Sequence, residues 1–209
     1  MKLLFACVAL IFSGQLFAYG ELEKNISFEA LSFAVYLDNK EAGTHNFILE
    51  HQGERTKVSS DLKLQIKIWG LLPVEYHHQA TEYWQNGCLE SLSARTSKRG
   101  KIWVVDGRSN SLGLTIKADN ISRVYGGCIR SFAYWDASLL EGDQLLNSET
   151  GELLPVQVKT IDIQDNGARS LLIDGTKADI YLEYGADGQW LSLKSRLKVG
   201  GELHYIRQP

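Results

Sequence analysis

From Asn25 onward the apolar residues of this chain recur with a period of two, and helical periodicity is scarce. The clearest run is Val58 to Ile68. Val58, Leu62, Leu64, Ile66 and Ile68 fall on one face, with Ser60 completing the row, while Lys57, Ser59, Asp61, Lys63, Gln65 and Lys67 fall on the other. One buried and one wet face is the pattern of an antiparallel sheet, since parallel sheets are covered on both sides. A strand this long suits a large curved sheet or a barrel.

The same reading extends along the chain. Ile26 to Leu37 is rich in Phe, Val, Tyr and Leu and stops at the turn pair Asp38-Asn39; Gly43 to His51 returns and stops at Gln52-Gly53. Gly70 to Pro73 turns the chain into Val74 to Thr96. Short strands then follow at Lys101 to Asp106, Ser111 to Ala118 and Ile121 to Tyr125, with turns at Gly107 to Asn110 and Asp119-Asn120. After residue 155 come Val156 to Gln164, Arg169 to Ile173, Lys177 to Tyr184, an alternating run from Leu191 to Val199, a turn at Gly200-Gly201, and Glu202 to Ile206. Turn signals recur about every ten residues, which predicts an all-β fold, a single antiparallel meander curled into a barrel or half-barrel. Residues 126–155 break the rhythm: Cys128 to Leu140 shows no alternation and has room for one short helix, and LLNSETGELLP reads as a turn-bearing loop. So long an irregular connection is either functional or a plug over an open core.

Residues 1–20 read as a signal peptide, with Lys2 as the positive start, Leu3 to Phe12 as an apolar core too short to span a bilayer, and cleavage after Ala18 or Gly20. The expected mature protein is a single all-β domain over 21–209, exported to the periplasm or beyond, with no further transmembrane segment. The formal net charge of −3, one unit more negative without Lys2, gives no clustered basic excess of the kind nucleic acid requires. Cleavage leaves Cys88 and Cys128, either bridged in an oxidising compartment or present as two buried thiols.

Candidate chemistry concentrates in Val74 to Thr96. Asn86-Gly87 between two strand-like runs signals a two-residue hairpin. Counting outward from it sets Trp84 opposite Leu89, Glu82 opposite Ser91 and His78 opposite Arg95. One face would then carry a carboxylate, an imidazole and a guanidinium (Glu82, His78, Arg95) beside Tyr76 and Trp84. That set could orient a polar head group or perform acid–base chemistry, or it could be an ordinary cross-strand charge cluster. His77 and His78 point to opposite faces and cannot chelate one ion together. His45, His51 and His204 lack ligand spacing. Neither a metal nor a cofactor is expected, and no nucleophile elbow, zinc-protease or phosphate-loop sequence is present. Trp135, with Phe132 and Tyr134, either packs into the core or lines a ligand mouth.

Five pieces of the chain together resemble a secreted bacterial family known only as a domain of unknown function (DUF 6134). They are VYLDNKEAGTHNF, YHHQATEYWQNGCLESLSART, FAYWD, LLNSETGELLPV and IYLEYGADGQWLSLKS. The resemblance implies an exported all-β protein and carries no catalytic residue with it. Three functions stay open: a binding module for a lipid or other apolar ligand, a structural or partner-binding envelope protein with a filled core, and an enzyme using Glu82 and His78 as acid and base. The first is preferred, because a large curled sheet encloses more interior than side chains fill.

Overall fold

A computed structural model describes residues 25–68, 72–175, 178–197 and 201–209. The signal peptide and the boundary at residue 20 lie outside the described residues. The turns expected at Gly70 to Pro73 and Gly200-Gly201, and the strand start at Lys177, fall on undescribed positions in whole or in part.

Eight strands follow one another as hairpins: β1 Ile26–Leu37, β2 Lys40–Gln52, β3 Arg55–Ile68, β4 Leu72–Gln85, β5 Cys88–Lys98, β6 Lys101–Asn110, β7 Gly113–Ala118 and β8 Ile121–Tyr125. After an irregular segment come β11 Gln157–Ile163, β12 Arg169–Asp174, β13 Ile180–Tyr184, β14 Trp190–Leu197 and β15 Gly201–Arg207. Tight turns make this local pairing possible. Asp38-Asn39, Asn86-Gly87 and Arg99-Gly100 have positive φ at both central residues, the backbone twist that continues a hairpin. The last strand then returns to the first, with Phe33 opposite Arg207 and Leu37 opposite Leu203. The result is one antiparallel sheet of thirteen strands in the order β11-β12-β13-β14-β15-β1-β2-β3-β4-β5-β6-β7-β8. Among the described residues β8 and β11 remain unpaired edges, so the curled sheet is open, a half-barrel.

The concave face holds the core. Leu31, Phe33 and Val35 of β1, Phe47 and Leu49 of β2, and Val58, Leu62 and Leu64 of β3 all point inward. Trp190 is their hub: its ring lies 4.1 Å from Phe33 and within 5.5 to 6.2 Å of Tyr134, Phe47 and Tyr205.

Residues 126–155 cover this concave face. They contain a 3-10 turn, Ala137–Leu140, started by Asp136, whose carboxylate accepts from the Ser138 amide. They also contain a hairpin where the sequence suggested only a loop: β9 Gln144–Asn147 and β10 Glu152–Pro155. The hairpin escaped notice because its strands do not alternate; Leu145 and Leu146 are both fully buried, one toward each side. Ties to the sheet hold the segment in place: the Leu89 amide donates to the Ile129 carbonyl, Tyr125 Oη to Gly151, and Tyr184 Oη to Tyr134.

Gly107 and Gly151 are among the glycines placed by close approach. The turn expected at Gly107 to Asn110 is instead part of β6, which runs through Asn110. Gly107 serves packing: a Cβ there would lie 2.6 Å from Ile116 Cδ1. Gly151, at φ +68°, seats the β9–β10 hairpin on the sheet, where a Cβ would lie 2.7 Å from Ile116 Cγ2 and 3.2 Å from Ala118 and Val105. Gly151→Ala combines a left-handed backbone penalty with overpacking, and is expected to cost about 2–3 kcal/mol. An unchanged urea midpoint would refute this account of the docking.

Candidate functional site

The inward row of β4 is Val74, Tyr76, His78, Ala80, Glu82 and Trp84, and it is buried or half-buried throughout. At its middle the side chains are small. Ser60 of β3 lies opposite Ala80, and Ala80 opposite Ala94 of β5, so a hydroxymethyl and two methyls stand in a row where bulkier residues would fill the curve. Between this row and the covering segment lies a cavity of about 450 Å³. Aromatic walls come from Phe47, Phe132, Tyr134, Trp135 and Tyr205, and its exposed rim carries Thr150 and Glu152.

Glu82, His78 and His45 are among the ionisable groups that line this space. Glu82 Oε2 accepts from Ser131 Oγ at 3.1 Å and from Trp84 Nε1 at 3.0 Å. Burial raises the Glu82 carboxyl above its ordinary range, against the opposing pull of those two donors. His78 has a hydroxyl at each ring nitrogen, Thr96 Oγ1 at 2.8 Å from Nδ1 and Ser148 Oγ at 3.2 Å from Nε2. Burial, with His77 adding repulsion, lowers it to about 4. His45 lies on the β2 face shared with Phe47. Burial, reinforced by His78 and opposed by Asp61, lowers it to about 3. At neutral pH both imidazoles are therefore uncharged.

The register beyond the hairpin turn differs from the sequence count. Trp84 does face Leu89, but Tyr83 faces Ser91, so Glu90 is an extra residue and a β-bulge. Every later pairing shifts by one: Glu82 faces Leu92 and His78 faces Thr96, while Arg95 lies opposite Gln79 on the outer face and is exposed. Burial decides the slip, since it turns Leu92 and Ala94 inward and Arg95 out to water. Arg95 is thereby separated from His78 and Glu82. Tyr76 sits one step along the inward row beside Glu149, outside the cavity lining. Trp84 is packed behind Glu82, with Trp135 edge-on at 5.8 Å. Of the six expected residues, His78, Glu82 and Trp135 reach the cavity.

His77 and His78 do point to opposite faces; His77 Nε2 meets Asp61 Oδ1 outside at 2.5 Å. His45, Ser131 and Ser148 join the site without having been anticipated. The parity of His45 with Phe47 and Leu49 is a signal for its inward position, whereas nothing in the irregular segment marks its two serines. Cys88 and Cys128 form a disulfide with Cα atoms 5.1 Å apart, tying the β4–β5 turn to the start of the covering segment. Among the described residues no group of three or more His, Cys, Asp or Glu is placed to hold a metal ion, and no helix is long and apolar enough to cross a membrane.

The family model described as "Domain of unknown function (DUF6134)" matches residues 33–208, and the chain belongs to that family. No curated protein sequence matches it. Among solved structures it is similar to the beta-barrel-like protein of domain of unknown function DUF1849 from Brucella abortus. The TM-score is 0.57 at 11% identity, over 87% of this chain and 95% of that one. At that identity the likeness concerns the fold alone.

Proposed function

We propose that this member of the DUF6134 family is a non-enzymatic binding module that takes a lipid or other apolar small molecule into the cavity between its sheet and residues 126–155. The observation that carries the reading is the cavity itself. Its volume of about 450 Å³ lies within the range of small-molecule sites, and five aromatic rings and several aliphatic side chains share its walls with polar groups. The small side chains of Ser60 and Ala80 in its wall help keep this space open. The disulfide and the signal-peptide pattern of residues 1–20 support an exported, periplasmic setting, with 21–209 as one domain.

Acid–base catalysis by Glu82 and His78 draws support from their shared face. Against it, residues four apart on a strand have Cα atoms about 13 Å apart. Both nitrogens of His78 and one Glu82 oxygen are also engaged by neighbouring side chains. Binding is the better fit.

Titration with the neutral fluorophore N-phenyl-1-naphthylamine tests the reading. Saturable one-site enhancement is expected for the native chain. Ala80→Phe, which fills the middle of the cavity, is expected to weaken it roughly tenfold or more, about 1.4 kcal/mol. Arg95→Ala, on the outer face, is expected to match the native chain. Equal binding by the Ala80→Phe variant, once circular dichroism shows it folded, would sink the cavity as the site.

A further inference from the structure

The polar groups of the cavity say what kind of apolar molecule it suits, an inference that rests on the binding reading above. His45 is the informative residue. As a residue it is only half-buried, yet both its ring nitrogens are shut off from solvent, and neither finds a hydrogen-bond partner among the described residues. Its ring is fixed by packing, 4.1 Å from Phe47 and edge-on to Tyr205 at 5.7 Å. It flanks Leu62 on one side as His78 does on the other, since Leu62 faces His45 across β2–β3 and His78 across β3–β4. His78, by contrast, already has a hydroxyl on each nitrogen. Buried polar atoms are normally paired, because an unpaired one loses its hydration with nothing in return. His45 lines the cavity, so a ligand that displaces the groups now packed over its ring can supply the partner those nitrogens lack.

Charge narrows the chemistry. Among the described residues the lining contains Glu82, Glu149 and Glu152 and neither a lysine nor an arginine. A carboxylate or phosphate head would enter past acidic residues and meet no cation inside, an unfavourable transfer from water. A cationic head would meet Glu149 and Glu152 toward the rim but two uncharged histidines further in, where Glu82 is already engaged by Ser131 and Trp84. A hydroxyl suits the site, because it donates and accepts and so pairs with an imidazole nitrogen in either tautomer.

We propose that the cavity selects uncharged, hydroxyl-bearing apolar molecules, alcohols rather than anionic lipids or fatty-acid anions, and that His45 is the residue that hydrogen-bonds the hydroxyl. The aromatic walls then take the apolar body.

Displacement of bound N-phenyl-1-naphthylamine at pH 7.5 by 1-dodecanol, 1-chlorododecane and dodecanoate tests this. The native chain is expected to prefer 1-dodecanol to each of the others by roughly tenfold, one net hydrogen bond. In His45→Phe the alcohol and the chloride are expected to reach parity. A measurement without a variant supports the pair: in the native protein carrying 15N-labelled histidine, 1-dodecanol should move a His45 ring-nitrogen resonance and leave that of His51, which does not line the cavity, in place. Dodecanoate competing as well as the alcohol, an alcohol preference kept by His45→Phe, or an unmoved His45 resonance would each overturn the assignment. Failure of the fluorophore to bind the native chain would remove the binding reading itself, whereas binding with equal displacement by all three compounds would remove only the hydroxyl selectivity.

Discussion

Replacing Cys88 and Cys128 together with alanine is expected to lower stability by about 4 kcal/mol, the chain-entropy value for a closed loop of this length. For a domain of this size that corresponds to a fall in Tm of roughly 10 °C. The location of the bridge makes the effect more than a general one. Three residues past Cys128, Ser131 donates to Glu82, and a little further Trp135 leans on Trp84. Arg130 reaches back to the Gly87 and Glu141 carbonyls. The bridge therefore fixes the start of the segment that roofs the cavity, and its loss should also weaken N-phenyl-1-naphthylamine binding. Native protein held in reductant should melt with the double variant. Identical melting of oxidised native protein and the variant would show that the bridge contributes nothing.

Acid is expected to destabilise the protein from about pH 6.5 downward. In the unfolded chain His45 and His78 take up protons near 6.5, whereas in the fold burial keeps them neutral to about 3 and about 4. Below pH 6.5 the unfolded form therefore binds more protons, and stability falls with pH until the folded values are reached. By pH 5 each histidine should account for about 2 kcal/mol of the loss. Glu82 acts in the opposite sense: its raised carboxyl is a cost at neutral pH that acid relieves, so Glu82→Gln should steepen the decline. His45→Phe should flatten the profile, and should also raise stability at pH 7 because it removes two unpaired buried nitrogens. Urea midpoints at pH 7, 6 and 5 measure all three. A His45→Phe profile parallel to the native one would show that His45 is not held neutral.

The strands were legible because one face of the sheet is wet. Alternation locates β3 almost to the residue, and paired turn residues locate the ends of β1 and β4. Legibility failed where adjacent residues are both buried, as Leu145 and Leu146 are in β9, and where a single residue breaks the period. The bulge at Glu90 is such a break. Leu89 is followed by Leu92 and Ala94, an odd step between apolar positions, and that step is the trace it leaves in the sequence. A register counted without the bulge sets Arg95 beside His78, whereas the bulged register sets Thr96 there. With Arg95 outside, the row holds no cation, and the feature that would have attracted an anion is gone. His78 and Glu82 were visible as polar residues in an inward row. His45 becomes conspicuous only when β2 and β3 are laid side by side.

The pairing of β1 with β15 has a consequence for how the molecule comes into being. Its partners are about 170 positions apart, whereas nearly every other strand pairs with its immediate neighbour in sequence. Two arms, β1 to β8 and β11 to β15, can zip up locally while the chain emerges. The seam that joins them waits for the last strand to be synthesised, and with it the concave face on which residues 126–155 settle. The cavity is thus a late product of folding: a chain interrupted before β15 would hold most of its hairpins and no cavity.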